Sequence, residues 1–191
     1  KKYYREPIAC NFVSYGSNVV VSAREEYQSA AWEHVNKFTP GHCFETPALH
    51  WLEERLAPFH QQVCFMAEYF LPRPEKVRAL PCSYPLRVLE REDFSALYLP
   101  AWQNALCEKR KELDMLAVGA YDGDTLIGLA GCSADAEKMW QIGIDVLPAY
   151  RRQGVAAALT SRLALEIFAR GQVPFYCAAW ANLPSVRNAL R

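Results

Sequence analysis

The residues best suited to chemistry form one short stretch: Ile144-Asp145-Val146-Leu-Pro-Ala-Tyr-Arg151-Arg152-Gln153-Gly154-Val155-Ala156. It reads as a strand that ends, a short turn, and a helix that opens at a glycine. The first N–H groups of a helix have no intrahelical partner and point outward. The helix dipole adds partial positive charge there, worth about 0.3–1 kcal/mol per nearby anion. Gly154 has no Cβ, so a ligand can approach the backbone closely. Arg151 and Arg152 add charged donors, and Ala156 keeps the first turn narrow. Together these make a cradle for a diphosphate. The bland alternative makes the arginines solvated turn residues and Gly154 a simple break. Other phosphate loops fit less well, since the chain has no G-x-x-x-x-G-K-[ST] and no G-x-G-x-x-G after a strand. A G-x-S-x-G elbow is also missing, so an α/β-hydrolase would lack its nucleophile.

The elements around this stretch alternate. Residues 86–89 read as a strand, and Asp93 can cap a helix running to about Lys111. Two strands over 115–121 and 125–132 are joined by Asp122-Gly123-Asp124, a hairpin signal. Residues 140–146 are a strand with Ile142, Ile144 and Val146 on one face, broken at Pro148. A helix over 155–170 stops at Gly171. A strand over 173–179 and a helix from Asn182 follow. The order is β-α-β-β-β-α-β-α. Upstream, the Pro-rich stretch 71–85 reads as a linker, which places a domain boundary near residue 84. Residues 1–84 read as a smaller α/β domain. It has a strand over 18–22, a capping box at Ser22 and Glu25 opening a helix to Lys37, and a second helix start at Thr46-Pro47. A long strand over 61–71 follows. Trp51, Phe59, Phe65, Tyr69 and Phe70 are its expected core.

The second part resembles the GNAT superfamily of N-acetyltransferases. Arg151-x-x-Gly154-x-Ala156 fits that family's [QR]-x-x-G-x-[GA] loop, with the strand bearing Ile144 and Val146 before it and Asn182-x-x-Ser185 after it. The resemblance covers about residues 85–191 and implies a mixed α/β sheet opened between the 140–146 and 173–179 strands. It implies acetyl-CoA as cosubstrate, held by Ile144, Asp145, Val146, Arg151, Arg152, Gln153, Gly154, Val155, Ala156, Asn182 and Ser185. The implied reaction is direct transfer to a primary amine in a ternary complex. A backbone N–H near Val146 would stabilise the oxyanion, and an acid and a base would move protons. Many members carry a tyrosine seven residues after the asparagine, and here that position is Ala189. Ser185 is the substitute candidate acid, and Asp145 and Glu137 are candidate bases beside a water chain. The competing reading is a non-catalytic acyl-CoA-binding or regulatory module, and a third is a protein-interaction domain without a CoA site. Residues 1–84 would be either a degenerate GNAT-like half or an acceptor-binding surface. Trp102, Asn104, Glu108 and Trp180 are expected at the floor of the acceptor cleft, suiting a cationic amine with some apolar body.

Composition narrows the partners. The chain has 191 residues, 51% hydrophobic and 22% charged, with 21 basic and 21 acidic residues. That balance excludes wholesale disorder and argues against gripping a nucleic-acid backbone. No apolar run approaches the roughly 20 residues a membrane-crossing helix needs. No nucleic acid or membrane partner is therefore expected; the family resemblance implies a small-molecule or peptide amine as acceptor, while a homo-oligomer stays open. Seven cysteines without C-x-x-C spacing read as small buried hydrophobes of a reducing cytoplasm. His42, Cys43, Glu45 and His50 cluster in sequence, but no pair has metal-ligand spacing, so no metal is expected. Lys1 opens the chain where a methionine would stand, and Arg191 falls within a helix pattern. We expect a fragment with further chain at both ends, the family's last two strands among it.

Overall fold

A computed structural model describes residues 8–191; residues 1–7 of the expected first domain lie outside the described residues. The chain divides into two compact units at Met66 and Ala67. The boundary thus falls before the proline-rich stretch, not near residue 84. The reason is hydrogen bonding: residues 67–70 form a strand that belongs to the second unit's sheet.

The first unit has strands β1 (Cys10–Ser14) and β2 (Val19–Ala23), paired antiparallel, and helices α1 (Gln28–Lys37) and α2 (Thr46–Leu56). The capping box expected at Ser22 is not made. A 3-10 turn over Glu25–Tyr27 leads into α1 instead, and neither helix has a side-chain cap. Thr46 is the first residue of α2 rather than its cap. The core is Tyr27, Ala30, Leu52 and Leu56. The expected aromatics are largely elsewhere: Phe59 and Phe65 are exposed, and Phe70 packs in the second unit. His34 is buried among the rings of Phe12, Phe38 and Trp51, 5.3–6.0 Å away. Its Nε2 donates to the Cys43 carbonyl at 3.0 Å, and its Nδ1 has no partner among the described residues. Desolvation holds its pKa below the ordinary 6.5, against the pull of that hydrogen bond.

The second unit is a six-stranded sheet in the order β3-β8-β7-β6-β5-β4. Its strands are β3 (Ala67–Phe70), β4 (Leu86–Leu89), β5 (Asp114–Asp122), β6 (Thr125–Ser133), β7 (Met139–Val146) and β8 (Val173–Ala179). All neighbours are antiparallel except β7 and β8. A parallel pair needs a crossover, which helix α3 (Val155–Ala169) supplies. Its buried face, with Val155, Leu159, Leu163 and Ile167, covers Leu116, Val118, Ala130 and Ile142 on one side of the sheet. A short helix, α4 (Leu183–Ala189), follows β8.

The other face is covered without a long helix. The helix expected from Asp93 to Lys111 is replaced by 3-10 turns over Arg91–Ala96, Pro100–Trp102 and Glu108–Leu113. Glu90 is the cap, and Asp93 closes a capping box with it. Pro100 falls within the stretch and lacks the N–H that a continuous helix would use. Trp102, Ala105 and Leu106 bury themselves with Phe94, Ala117 and Leu129. Two carboxylates pin the stretch to the sheet. Asp114 is buried; it accepts from Cys107 N–H at 2.9 Å and from the Tyr98 hydroxyl. Burial lifts its pKa, and burial together with that carboxylate pushes Tyr98 up to about 12. Asp145 accepts from Asn104 N–H at 2.8 Å, Asn104 Nδ2 at 2.6 Å and Ala105 N–H at 3.0 Å. Gly131 and Gly143 are directly opposite each other in β6 and β7. A Cβ on Gly143 would strike the Asn104 carbonyl, and one on Gly131 the Ala105 carbonyl. The glycine pair is the flat ground on which this backbone lies.

Two outcomes follow from these contacts. Gly143→Val or Asp145→Ala should cost about 2–3 kcal/mol in chemical denaturation, from overpacking in one case and lost charged hydrogen bonds in the other. Gly41→Ala, whose Cβ meets nothing within 4 Å, is the control and should change little. Because the folded pKa of His34 lies below the unfolded value, its contribution is complete above pH 6.5 and is lost as pH falls through that window. Melting temperature should therefore drop more steeply below about pH 6.5 in the native chain than in His34→Gln.

Candidate active site

The pairing of β7 with β8 runs from Met139 and Val173 to Ile142 and Tyr176, then stops. Beyond that point each strand keeps only its outer partner. Gly143–Val146 stays paired with β6, and residues 177–179 with β3. The sheet therefore splits at Ile142 and Tyr176 into two limbs. Leu147 N–H donates to the Ile127 carbonyl at 2.9 Å, on the β6 side. Backbone direction alternates along a strand, so the N–H and C=O of Ile144 and Val146 face the gap. Arg151 Nε donates to the Val146 carbonyl at 2.9 Å. That leaves the Val146 N–H and both Ile144 backbone groups as the edge offered to a ligand. The Ile144 and Val146 side chains pack toward α3.

The cradle sits where β7 ends. Pro148 opens a 3-10 turn to Tyr150, and the backbone then takes positive φ twice, +62° at Arg152 and +84° at Gly154. Gly154 is the N-cap of α3, and its carbonyl accepts the first helical hydrogen bond, from Ala158 N–H at 3.0 Å. The N–H groups of Val155, Ala156 and Ala157 thus have no partner inside the helix. A Cβ on Gly154 would meet no atom within 4 Å. Its φ requires glycine, and the space where its side chain would stand is clear of protein. The turn is braced by Gln153, which receives a bond from the Tyr84 hydroxyl at 3.1 Å and donates to the Ala149 carbonyl at 3.1 Å. Tyr150 donates to Asp122 at 3.0 Å, and that acceptor raises its pKa. Arg151 and Arg152 are exposed beside the amides. Orphan N–H groups, dipole and guanidinium groups together suit a diphosphate.

The remaining expected residues divide. Asn182 lies just past the end of β8, its N–H donating to the Ala179 carbonyl at 2.8 Å, so it stands on the limb opposite Val146. Its side-chain oxygen accepts from Ser185 N–H at 3.3 Å, which makes it the cap of α4. Ser185 is half-buried in the first turn of α4, and Ala189 packs against the main core. Asp145 points away from the α3 face, as the alternation predicts. Its oxygens are taken up by Asn104 and Ala105, so it holds the covering stretch instead of standing free as a base. Glu137 is exposed in the bend before β7. Seven residue steps, roughly 23 Å at the usual strand rise, separate Met139 from Val146, and Glu137 lies beyond Met139. The structure does not bring it to the Val146 end. Trp102 is buried and Asn104 lies on β7, while Glu108 and Trp180 are exposed. Among the described residues no group of three or more His, Cys, Asp or Glu could hold a metal ion.

The sequence places Trp102 and Asn104 at the cleft floor but does not announce how closely the stretch over 102–105 lies on β6 and β7. The signal was present as glycines inside two strand patterns, which often mark close backbone approach. It could be read only once β6 and β7 were known to pair in register.

The sequence pattern of the Acetyltransferase (GNAT) family matches residues 83–189. No curated protein is similar enough to match. Among solved structures, a GCN5-related N-acetyltransferase-like protein from Streptococcus suis superposes with a TM-score of 0.52 at 21% identity. The match covers 73% of this chain and 61% of that one, so the chain spans less than two thirds of that relative's length. A GNAT-family acetyltransferase from Colwellia psychrerythraea gives a TM-score of 0.53 at 14% identity, over 98% of this chain and 77% of that one. Both likenesses are of fold. With more than half its length matched by the family pattern, the chain belongs to the GNAT acetyltransferase family.

Proposed function

We propose that the chain is an N-acetyltransferase that takes an acetyl group from acetyl-CoA and passes it to a primary amine by direct transfer. The observation that carries this reading is the split at Ile142 and Tyr176 together with the amide cradle over 151–156 at its mouth. The diphosphate suits the amides of 154–157 with Arg151 and Arg152 beside them. The pantetheine arm, which carries two amides, suits the strand edge at Ile144 and Val146, with Asn182 on the facing limb. When bound, acetyl-CoA supplies a thioester carbonyl open to attack.

The chain's own part is electrostatic and positional. The Val146 N–H faces the gap and is fixed by its strand, so it can donate to a developing oxyanion without reorganising. Arg151 occupies the Val146 carbonyl and so keeps that acceptor from competing for the nucleophile. Asp145 fixes the stretch over 102–105 against the opposite face, where the acceptor amine would enter. With Asp145 engaged and Glu137 at the far end of β7, the amine's proton leaves through solvent. Ser185, in the first turn of α4, is the proposed donor to the leaving thiolate.

Calorimetric titration with acetyl-CoA, beside an Arg152→Ala plus Gly154→Asp variant, tests the cradle. Micromolar binding should weaken by at least about tenfold in the variant, because a carboxylate and a strained φ enter where the anion sits. Absence of binding by a well-folded native chain would sink the reading. Thiol release with a panel of primary amines then separates a transferase from a module that only binds acyl-CoA. In that assay Ser185→Ala should lower kcat by about tenfold or more while leaving acetyl-CoA affinity unchanged.

A further inference from the structure

A cavity of about 790 Å³ lies beside the acetyl-CoA gap, sharing Ala157 with the cradle and Ile142 and Tyr176 with the split, its other walls apart from both. It is bounded by α3, the C-terminal end of α4, β8 and residues 69–80. Pockets for small ligands typically span about 300–1,000 Å³. The walls are apolar, with Phe70, Val77, Leu80, Ile142, Ala164 and Tyr176. The polar groups on its floor are satisfied. Ser161 Oγ accepts from Leu80 N–H at 3.1 Å and donates to the Ala158 carbonyl at 3.0 Å, while Asn188 Nδ2 donates to Thr160 Oγ1 at 2.9 Å. These bonds also fasten the covering segment to α3 and α4 to α3, so the cavity has fixed walls.

Its charge is one-sided. Arg73, Lys76, Arg78 and Arg191 line it, and no Asp or Glu does. None of the four cations is in an ion pair among the described residues. In a chain with equal numbers of acidic and basic residues, a four-to-none imbalance around an apolar hollow marks the sign of a ligand. Like charges over low-dielectric walls raise the local concentration of an opposite charge. We propose that this cavity binds a single-chain anionic amphiphile, its aliphatic chain on the walls and its head group among the four cations. Carboxylate and phosphate heads share this chemistry.

The test is calorimetric titration of the whole chain with dodecanoate, dodecyl phosphate and dodecylammonium, each below its micelle concentration. One molecule of either anion should bind with micromolar affinity, and the tighter of the two names the head group. The ammonium should bind at least about tenfold more weakly, and added salt should weaken the anions. Lys76→Glu with Arg78→Glu changes exposed residues only. It should reduce anion affinity about tenfold or more and leave acetyl-CoA affinity unchanged. Ala164→Phe, checked for folding by circular dichroism, should block the anions by filling the hollow. Equal binding of all three amphiphiles would overturn the proposal, as would binding of acetyl-CoA without either anion. Displacement of the anion by stoichiometric acetyl-CoA would assign the cavity to the cradle and overturn it as well. A folded chain that binds neither ligand class would sink this proposal and the acetyl-CoA reading together.

Discussion

Everything in the second unit depends on where two strands stop pairing. β7 and β8 share hydrogen bonds as far as Ile142 and Tyr176, and past that point each is held by a different neighbour. Unpaired strand edges inside a sheet are costly unless something completes them. Here the exposed edge is short, amounting to the backbone of Ile144 and Val146, and one of its carbonyls is satisfied by Arg151. The same arginine opens the cradle loop. A single guanidinium thus links the limb of the gap to the helix start, which keeps the two halves of the site in one geometry.

The opposite face of the sheet solves a different problem. A stretch with almost no regular structure has to lie flat on β6 and β7 and stay there. Sterics and charge share the work. Glycines at paired positions remove the side chains that would hold the backbone off, and Asp145 and Asp114 collect its N–H groups. Each N–H so bound is one that a regular helix would have satisfied internally. The carboxylates therefore substitute for helical hydrogen bonds, which explains why residues 91–113 can cover a core without forming an α-helix.

Much of this was legible in the chain. β5, β6, β7, α3 and β8 have strong local signals: period-two alternation, a glycine turn at Gly123, an apolar stripe and a glycine stop at Gly171. The turn over 148–154 and the helix start at Gly154 were legible too, because they are contiguous and their logic is local. What could not be read depends on distant partners. Residues 67–70 look like part of the first unit until β8 is seen to accept them. Residues 93–111 carry helix-compatible spacing, yet Pro100 and the two aspartates draw them into 3-10 turns. Alternation correctly turned Asp145 away from Ile144 and Val146, but nothing near it in sequence announces Asn104, its partner across about forty residues.

The parallel pairing of β7 and β8 has one more consequence, for the length of the turn between β7 and α3. A strand that must be followed by a parallel neighbour sends the chain back along the sheet, so α3 can begin only at the end where the gap opens. Residues 147–154 then act as a ruler between the last strand N–H and the first helical ones. One residue inserted there would shift the amides by up to roughly 3.3 Å against the strand, about the length of a hydrogen bond. Substitutions along the outer face of α3 leave that spacing alone. The turn is therefore the part of the unit whose length, more than its side chains, sets what size of ligand can touch both ends at once.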